Sequence, residues 1–251
     1  MGIKKFGMTQ RFLASVLALI ALFALNPGAV GQEKRVKPRA VVELFTSQGC
    51  SACPPADEFI SELARRDDVV VLSYHVDYWN YIGWKDTFGN KAFSDFQRSY
   101  AQSWRKSRVY TPQLVINGIK DMVGSHRSDV ENAIASAVLP IDVRLNYEKG
   151  VLSVNAGPDP TLPELTVWLV TFLSRAQVDI DNGDNSGKIL SYSQIVTGRQ
   201  VLGMWDPVAG AQIKLPLFDV LKNGSDGVAI VVQYQKDGLP GQIYGAASFK
   251  M

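Results

Sequence analysis

The two cysteines of this 251-residue chain lie three positions apart, in the segment ELFTSQGCSACPPAD from Glu43 to Asp57. A disulfide across so short a separation closes almost no loop, so it restricts the unfolded chain little. Stability alone is therefore a poor reason for the pair. A Cys-x-x-Cys motif that follows a strand and opens a helix is instead typical of redox chemistry.

The segments around the cysteines predict a strand, a helix and a second strand. AVVELFT, from Ala40 to Thr46, is a short β-type run, and apolar residues recur at helical spacing from Cys53 to Arg66. VVVLSYHV, from Val69 to Val76, is predominantly apolar and predicts a strand buried on both faces. This order predicts a right-handed parallel βαβ unit with the cysteines in its first turn.

The next segments complete a predicted first domain. An aromatic loop from Asp77 to Asn90 precedes a helix from Lys91 to Lys106, and a hairpin turns at Asn117-Gly118. The last helix is predicted to begin after Ser128, which has a glutamate three positions later and so resembles a capping box. Beyond Pro140 the chain has short β-type runs without a long helical pattern. We therefore expect a domain boundary near Leu139 and an antiparallel β-sandwich-like domain over residues 140–251.

The N-terminus has the pattern of a secretory signal. Three basic residues precede an uncharged apolar run from Phe12 to Leu25, and small residues stand ahead of Gln32. The sequence thus predicts a signal peptide at residues 1–31, cleavage before Gln32, and export to the periplasm or out of the cell. An uncleaved membrane anchor is the alternative, although the run is shorter than the roughly 20 residues that a span needs.

Charge gives no argument for a nucleic-acid partner. Removal of residues 1–31 leaves 23 Lys and Arg against 24 Asp and Glu, so the formal charge changes from +2 to −1. A near-neutral chain without a stripe of Lys and Arg lacks the electrostatic footprint of nucleic-acid binding or of an anionic membrane surface. We expect neither partner, and no membrane association after cleavage.

The cysteine turn predicts a division of labour between the two thiols. Cys50 would attack a substrate disulfide as the thiolate, and Cys53 would resolve the mixed disulfide. Asp77 or Asp86 is a candidate proton acceptor for Cys53. The expected partners are a protein or peptide dithiol or disulfide and a redox partner protein, with no cofactor and no metal.

Three segments, FTSQGCSACPPAD, HVDYWNYIGWKDTF and YTPQLVING, together resemble an exported thioredoxin-like family of bacteria that is still named as a domain of unknown function. The resemblance implies an α/β thioredoxin-like domain over residues 40–139, with the aromatic loop and a helix inserted. It also implies that Pro112 is cis and faces the cysteine turn, and that Thr111 offers its backbone to a bound peptide. GDNSGKILSYSQIV, from Gly183 to Val196, is similar to the turn between two strands in that family.

Several residues depart from ordinary thioredoxin. Ser51-Ala52 stands between the cysteines in place of Gly-Pro, so a reduction potential cannot be carried over. Leu44 occupies the position at which thioredoxin has a buried aspartate, and the neighbouring Glu43 would point to the other face of the strand. The prolines after Cys53 fit a helix in its first turn alone, which predicts a helix that begins near Cys53.

The aromatic loop has two interpretations. Tyr78, Trp79 and Trp84 lie at the edge of the sheet where the cysteine turn is expected, so they are candidate substrate-binding residues in an apolar rim. The alternative is a packed insertion that roofs the core. The sequence alone does not separate these interpretations.

Two further functions compete with the oxidoreductase. Cys50 and Cys53 could bind copper or zinc together with His75 or His126. Alternatively, the β domain carries a binding function and the cysteine pair is a structural clip. Four polar residues look superficially like a calcium loop but lack the EF-hand spacing, and a polar hairpin turn explains them. These residues are Asp179, Asp181, Asp184 and Asn185.

Overall fold

A computed structural model describes residues 1–2, 37–222 and 224–251. The predicted signal peptide and its cleavage site lie almost wholly outside the described residues. Within the described ranges, no helix has both the length and the apolar character needed to cross a bilayer.

The chain begins its regular structure with the predicted βαβ unit. β1 (Ala40–Thr46) and β2 (Val69–His75) pair in parallel along their full lengths, and α1 (Pro54–Leu63) connects them. Every residue of β1 and β2 is buried. Burial of both faces explains why these strands carry few polar residues.

A loop, a helix and a hairpin follow β2. The loop contains a 3-10 turn at Asn80–Ile82 and leads into α2 (Lys91–Ser103). β3 (Gln113–Ile116) pairs antiparallel with β1 and with β4 (Lys120–Val123). The predicted hairpin turn is confirmed, with positive φ angles of 47° at Asn117 and 70° at Gly118.

The helix after β4 begins earlier than predicted. α3 (Arg127–Ser136) follows His126, so Ser128 lies inside the helix and does not cap it. The prediction of Ser128 as the N-cap was therefore wrong by two residues. The hydrogen bonds from the amides of Asp129 and Val130 to the carbonyl of His126 show where the first turn closes.

The second half is built almost wholly from strands. Its elements are β5 (Val143–Glu148), β6 (Val151–Ala156), β7 (Leu165–Asp179), β8 (Ile189–Trp205), β9 (Ala211–Pro216), the short α4 (Leu217–Val220), β10 (Gly227–Lys236) and β11 (Leu239–Lys250). β5, β6 and β9 form an antiparallel sheet of their own.

The other strands form one sheet with those of the first half. The eight-stranded order is β11-β10-β7-β8-β2-β1-β3-β4. The junction is the parallel pairing of Ser73 in β2 with Ile195 in β8, and the Ser73 hydroxyl donates to the carbonyl of Ser193 at 2.8 Å. The eight-stranded sheet therefore contains strands from both sides of the boundary that the sequence predicts near Leu139.

Three apolar clusters cover the sheets. α1 and α3 pack on one face of β1, β2 and β3, and α2 packs on the opposite face. The third cluster lies between the three-stranded sheet and strands β7 and β10. The two faces of β1 alternate, with Leu44 toward α1 and Phe45 toward α2.

A buried polar network joins the two halves on the α2 face. The Tyr100 hydroxyl donates to Glu43 at 2.6 Å and accepts from Gln233 Nε2 at 2.9 Å. Arg199 donates to Gln233 Oε1 at 2.9 Å, and its guanidinium lies over the ring of Trp168. Burial raises the pKa of Glu43, although the hydrogen bond from Tyr100 partly opposes this. As the sequence predicts, Glu43 therefore lies on the face opposite Leu44.

Candidate functional site

The two cysteines form a disulfide in the turn between β1 and α1. Their Cα atoms are 5.4 Å apart, which confirms the predicted pair. Cys50 is 1% exposed and Cys53 is fully buried, whereas the intervening Ser51 and Ala52 are exposed. The disulfide thus lies just beneath a two-residue surface segment.

α1 begins directly after the second cysteine. Pro54 is its first residue, and the carbonyl of Cys53 accepts from the amides of Ala56 and Asp57 at 2.9 and 3.1 Å. A proline is tolerated there because the first amides of a helix have no partner within it. The predicted helix start is confirmed, and the Cys53 sulfur sits at the positive end of the helix dipole.

Pro112 lies beside the cysteine turn. The Thr111–Pro112 peptide bond is cis, as predicted. A Cβ placed on Gly124 would lie 3.5 Å from Pro112 Cβ and 3.2 Å from Ala56 Cβ, so the proline and the first turn of α1 meet at this glycine. The indole N–H of Trp79 donates to the Thr111 hydroxyl at 2.8 Å.

The aromatic loop covers the cysteine turn from one side. A Cβ on Gly49 would lie 3.1 Å from Trp79 Cβ, and the indole N–H of Trp84 donates to Gln48 Oε1 at 2.9 Å. Tyr78 instead donates to Gln97 of α2 at 3.0 Å. Of the three predicted substrate-binding aromatics, the structure therefore brings Trp79 and Trp84 to the turn, and directs Tyr78 to α2.

One aromatic side chain of the loop remains at the surface. Tyr78, Trp79 and Trp84 are half-buried, but Tyr81 is 80% exposed and its ring stacks on that of Trp79 at 6.3 Å. Trp79 and Trp84 thus cover the cysteine turn, and Tyr81 adds an exposed aromatic ring beside Trp79.

A turn from the second half covers the cysteines from another side. The fully buried Asn185 donates its amide to the carbonyls of Gln48 at 2.9 Å and Cys50 at 3.1 Å. Its Oδ1 accepts from Lys188 at 2.8 Å. The apparent calcium loop thus contributes a hydrogen-bond clamp on the cysteine turn, a role that the sequence did not predict.

The two predicted proton acceptors are already engaged. Asp77 accepts from the Ser94 hydroxyl at 2.5 Å, and Asp86 Oδ2 lies 2.9 Å from His75 Nδ1. Burial opposes the ionisation of Asp86, but the neighbouring His75 and two backbone amides hold the pKa of this carboxyl below its ordinary value. Asp86 is thus an ionised partner of His75.

A third carboxylate, Asp57, was missed by the sequence analysis. It lies one helical turn after Cys53, a spacing that places two side chains on the same helix face. Asp57 is 5% exposed, and burial raises its pKa to about 7 although the nearby His75 partly opposes this. The signal in the sequence is its i+4 spacing from Cys53, beside the apolar stripe of α1.

The two histidines have different surroundings. The His75 side chain is fully buried, whereas that of His126 is 60% exposed and lies 3.6 Å from Asp129. Over the described part of the chain, no group of three or more His, Cys, Asp or Glu side chains is arranged to hold a metal ion.

Comparison with known proteins identifies the family. Residues 41–233 match the family described as "Protein of unknown function (DUF1223)", and the chain belongs to it. This confirms the coarser part of the resemblance, membership of a family named as having unknown function.

Two solved structures are similar to this one. The crystal structure of a protein from Agrobacterium tumefaciens has 33% sequence identity and a TM-score of 0.77, covering 85% of this chain and 95% of that one. HBP35 of Porphyromonas gingivalis has 14% identity and a TM-score of 0.56, covering 86% of this chain and 76% of that one, and shares the fold alone. A search of curated proteins finds no match.

Proposed function

We propose that this protein is an exported thiol–disulfide oxidoreductase with a thioredoxin-like first half, acting on thiols or disulfides of a protein or peptide. The observation that carries the proposal is a disulfide at the end of β1 and the head of α1, beside the cis Pro112. The strand order β2-β1-β3-β4, with α1 and α3 on one face and α2 on the other, supports it. The signal-like segment at residues 1–31 supports export.

The reaction is a pair of thiol–disulfide exchanges. A substrate thiolate attacks Cys50 Sγ, the bond to Cys53 breaks, and Cys53 leaves as a thiolate. A second substrate thiolate then attacks the mixed disulfide and frees Cys50. The substrate dithiol loses two electrons and two protons and forms a disulfide, while the protein gains two electrons and two protons. The reverse sequence reduces a substrate disulfide.

The surroundings of Cys53 suit a leaving thiolate. The positive end of the α1 dipole stabilises negative charge at this sulfur. Asp57, one turn further along the helix, has its pKa raised by burial to about 7, so near neutral pH it can both give and accept a proton.

Access to the disulfide requires local movement. Cys50 is 1% exposed because Trp79 and Asn185 cover the turn from two sides. Ser51 and Ala52 are exposed, and Tyr81 presents its ring nearby. A peptide is therefore expected to approach over Ser51-Ala52, with Trp79, Trp84 and the Thr111 backbone as its contacts.

A redox titration tests the proposal. The mature chain is equilibrated in glutathione buffers, free thiols are alkylated, and modified cysteines are counted by mass. We expect a reversible two-electron transition in the range of thioredoxin-like proteins, roughly −120 to −270 mV. The Cys50→Ser and Cys53→Ser variants are the controls and should show no such transition.

A structural disulfide is the second candidate, favoured by the burial of both sulfurs. Structural disulfides resist reduction, with potentials below roughly −300 mV. A pair that stays oxidised throughout the glutathione series would therefore contradict the oxidoreductase and support the structural clip.

A further inference from the structure

Four buried polar atoms near the disulfide have no hydrogen-bond partner within the part of the chain that the structure describes. They come from four different elements: β1, α1, β2 and β8. Buried polar groups are almost always hydrogen-bonded, and an unsatisfied one is costly, so a group of them calls for a functional reason. The atoms are Thr46 Oγ1, Asp57 Oδ2, His75 Nε2 and the Tyr192 hydroxyl.

The other side of the His75 ring is fixed. Asp86 Oδ2 lies 2.9 Å from His75 Nδ1 and also accepts from the amide of Gln48 at 2.8 Å. Asp86 Oδ1 accepts from the amide of Phe88 at 2.8 Å. A carboxylate with three such contacts is ionised, so His75 Nδ1 carries a proton and donates it. Nε2 is then the nitrogen free to gain or lose a proton.

The imidazole is also held in orientation by its neighbours. The rings of Tyr192 and Phe88 meet it edge to face, at centroid distances of 4.8 and 5.3 Å. Burial opposes the charging of His75, but Asp86 and then Asp57 raise the pKa of the imidazole above its ordinary value. His75 and Asp57, two buried titratable groups, thus influence each other's pKa.

We propose that His75, oriented by Asp86, is a positioning residue that supplies and removes the proton of Asp57 during each redox cycle of Cys50 and Cys53. This inference rests on the proposed oxidoreductase function. When the disulfide breaks, the Cys53 thiolate takes the proton of the Asp57 carboxyl. The imidazolium then gives up its Nε2 proton to restore the Asp57 carboxyl, with which it makes no direct hydrogen bond in the resting protein, and solvent restores the imidazolium. Oxidation of the dithiol reverses each transfer.

The groups that face this cluster define its charge. α1 contributes Asp57, β2 contributes His75, the aromatic loop contributes Asp86, and β8 contributes Tyr192. The cysteine turn contributes Cys53. Of these, Asp57 changes charge near neutral pH and the pKa of His75 lies above its ordinary value, whereas Asp86 is held ionised and burial raises the pKa of Tyr192.

The test is the dependence of the midpoint potential on pH. Uptake of two protons per two electrons changes the equilibrium constant of the couple a hundredfold per pH unit, so the midpoint potential changes by about 59 mV per pH unit. A change in the slope of midpoint potential against pH marks the pKa of a group coupled to the disulfide. In the wild type we expect the slope to change near pH 7, and in Asp57→Asn we expect no change of slope there. In His75→Gln the change of slope should move to higher pH, because the positive charge next to Asp57 is lost. His126→Gln, at the exposed histidine, is the matched control and should behave as the wild type.

The outcomes separate this inference from the function on which it rests. If the wild type shows no reversible transition, the oxidoreductase itself fails. If the wild type cycles but His75→Gln changes slope at the wild-type pH, the role of His75 is wrong. Nitrogen NMR of His75 in the oxidised wild type tests the same point without a variant: Nδ1 should stay protonated while Nε2 titrates, and the opposite pattern would overturn the proposal.

Discussion

Replacement of Asp57 by Asn should make the oxidised protein more stable, and increasingly so as the pH rises. Burial raises the pKa of Asp57 from 3.8 to about 7, so between these values the folded protein holds a proton that the unfolded chain has lost. The free energy of unfolding then falls by about 1.4 kcal/mol per pH unit. The total loss is about 4 kcal/mol, present in full above pH 7 and absent near pH 4.

Asparagine is a neutral near-isostere of the protonated carboxyl and has no such loss. Asp57→Asn and the wild type should therefore be similar near pH 4, and the variant should be more stable by about 4 kcal/mol at pH 8. Urea unfolding at pH 4.5, 6 and 8, without reductant, measures the difference. Asp129→Asn is the matched control, because Asp129 also lies in the first turn of a helix but its side chain is 64% exposed. A stability difference that is constant across this pH range would refute the reasoning.

Three further substitutions test the surroundings of the site. Asn185→Ala leaves two buried carbonyls of the cysteine turn without their donor, so urea unfolding should show a loss of about 1–3 kcal/mol for each. Asn182→Ala, at an exposed position of the same turn, should be neutral. Gly124→Val places a Cβ 2.8 Å from a leucine methyl of β1 and should cost about 1–3 kcal/mol in thermal unfolding, whereas Gly157→Val meets open space. Glu43→Gln keeps an acceptor for Tyr100 but cannot ionise, so its melting temperature should exceed that of the wild type more at pH 9 than at pH 5, because burial raises the pKa of Glu43.

Local patterns in the sequence predicted the elements that depend on near neighbours. The apolar runs of β1 and β2, the proline-limited start of α1 and the turn at Asn117-Gly118 were all confirmed, because each is set by a few adjacent residues. The start of α3 was missed because the chain closes its first helical turn on the carbonyl of His126 rather than on the Ser128 side chain.

The contacts that shape the site were not predictable in this way. Asn185 lies 135 residues from Cys50, and nothing in the local sequence of either indicates that they meet. The pairing of Ser73 with Ile195, which brings β8 beside β2, is equally remote. Tyr192 reaches the His75 ring because of that pairing. The surroundings of His75 thus depend on a strand that joins the sheet from the other half of the chain.

This dependence bears on how the cysteine pair could be controlled. In the sequence, the two cysteines of the motif and the start of α1 lie within a few residues. In the structure, burial raises the pKa of Asp57, and His75 partly opposes this rise. The pKa of the acid one helical turn after Cys53 is therefore set by groups outside the motif. The carbonyl of Cys50 is likewise held by Asn185. In the proposed reaction, release of that clamp by a bound partner would uncover the Cys50 sulfur, so the second half of the chain would control access to the disulfide.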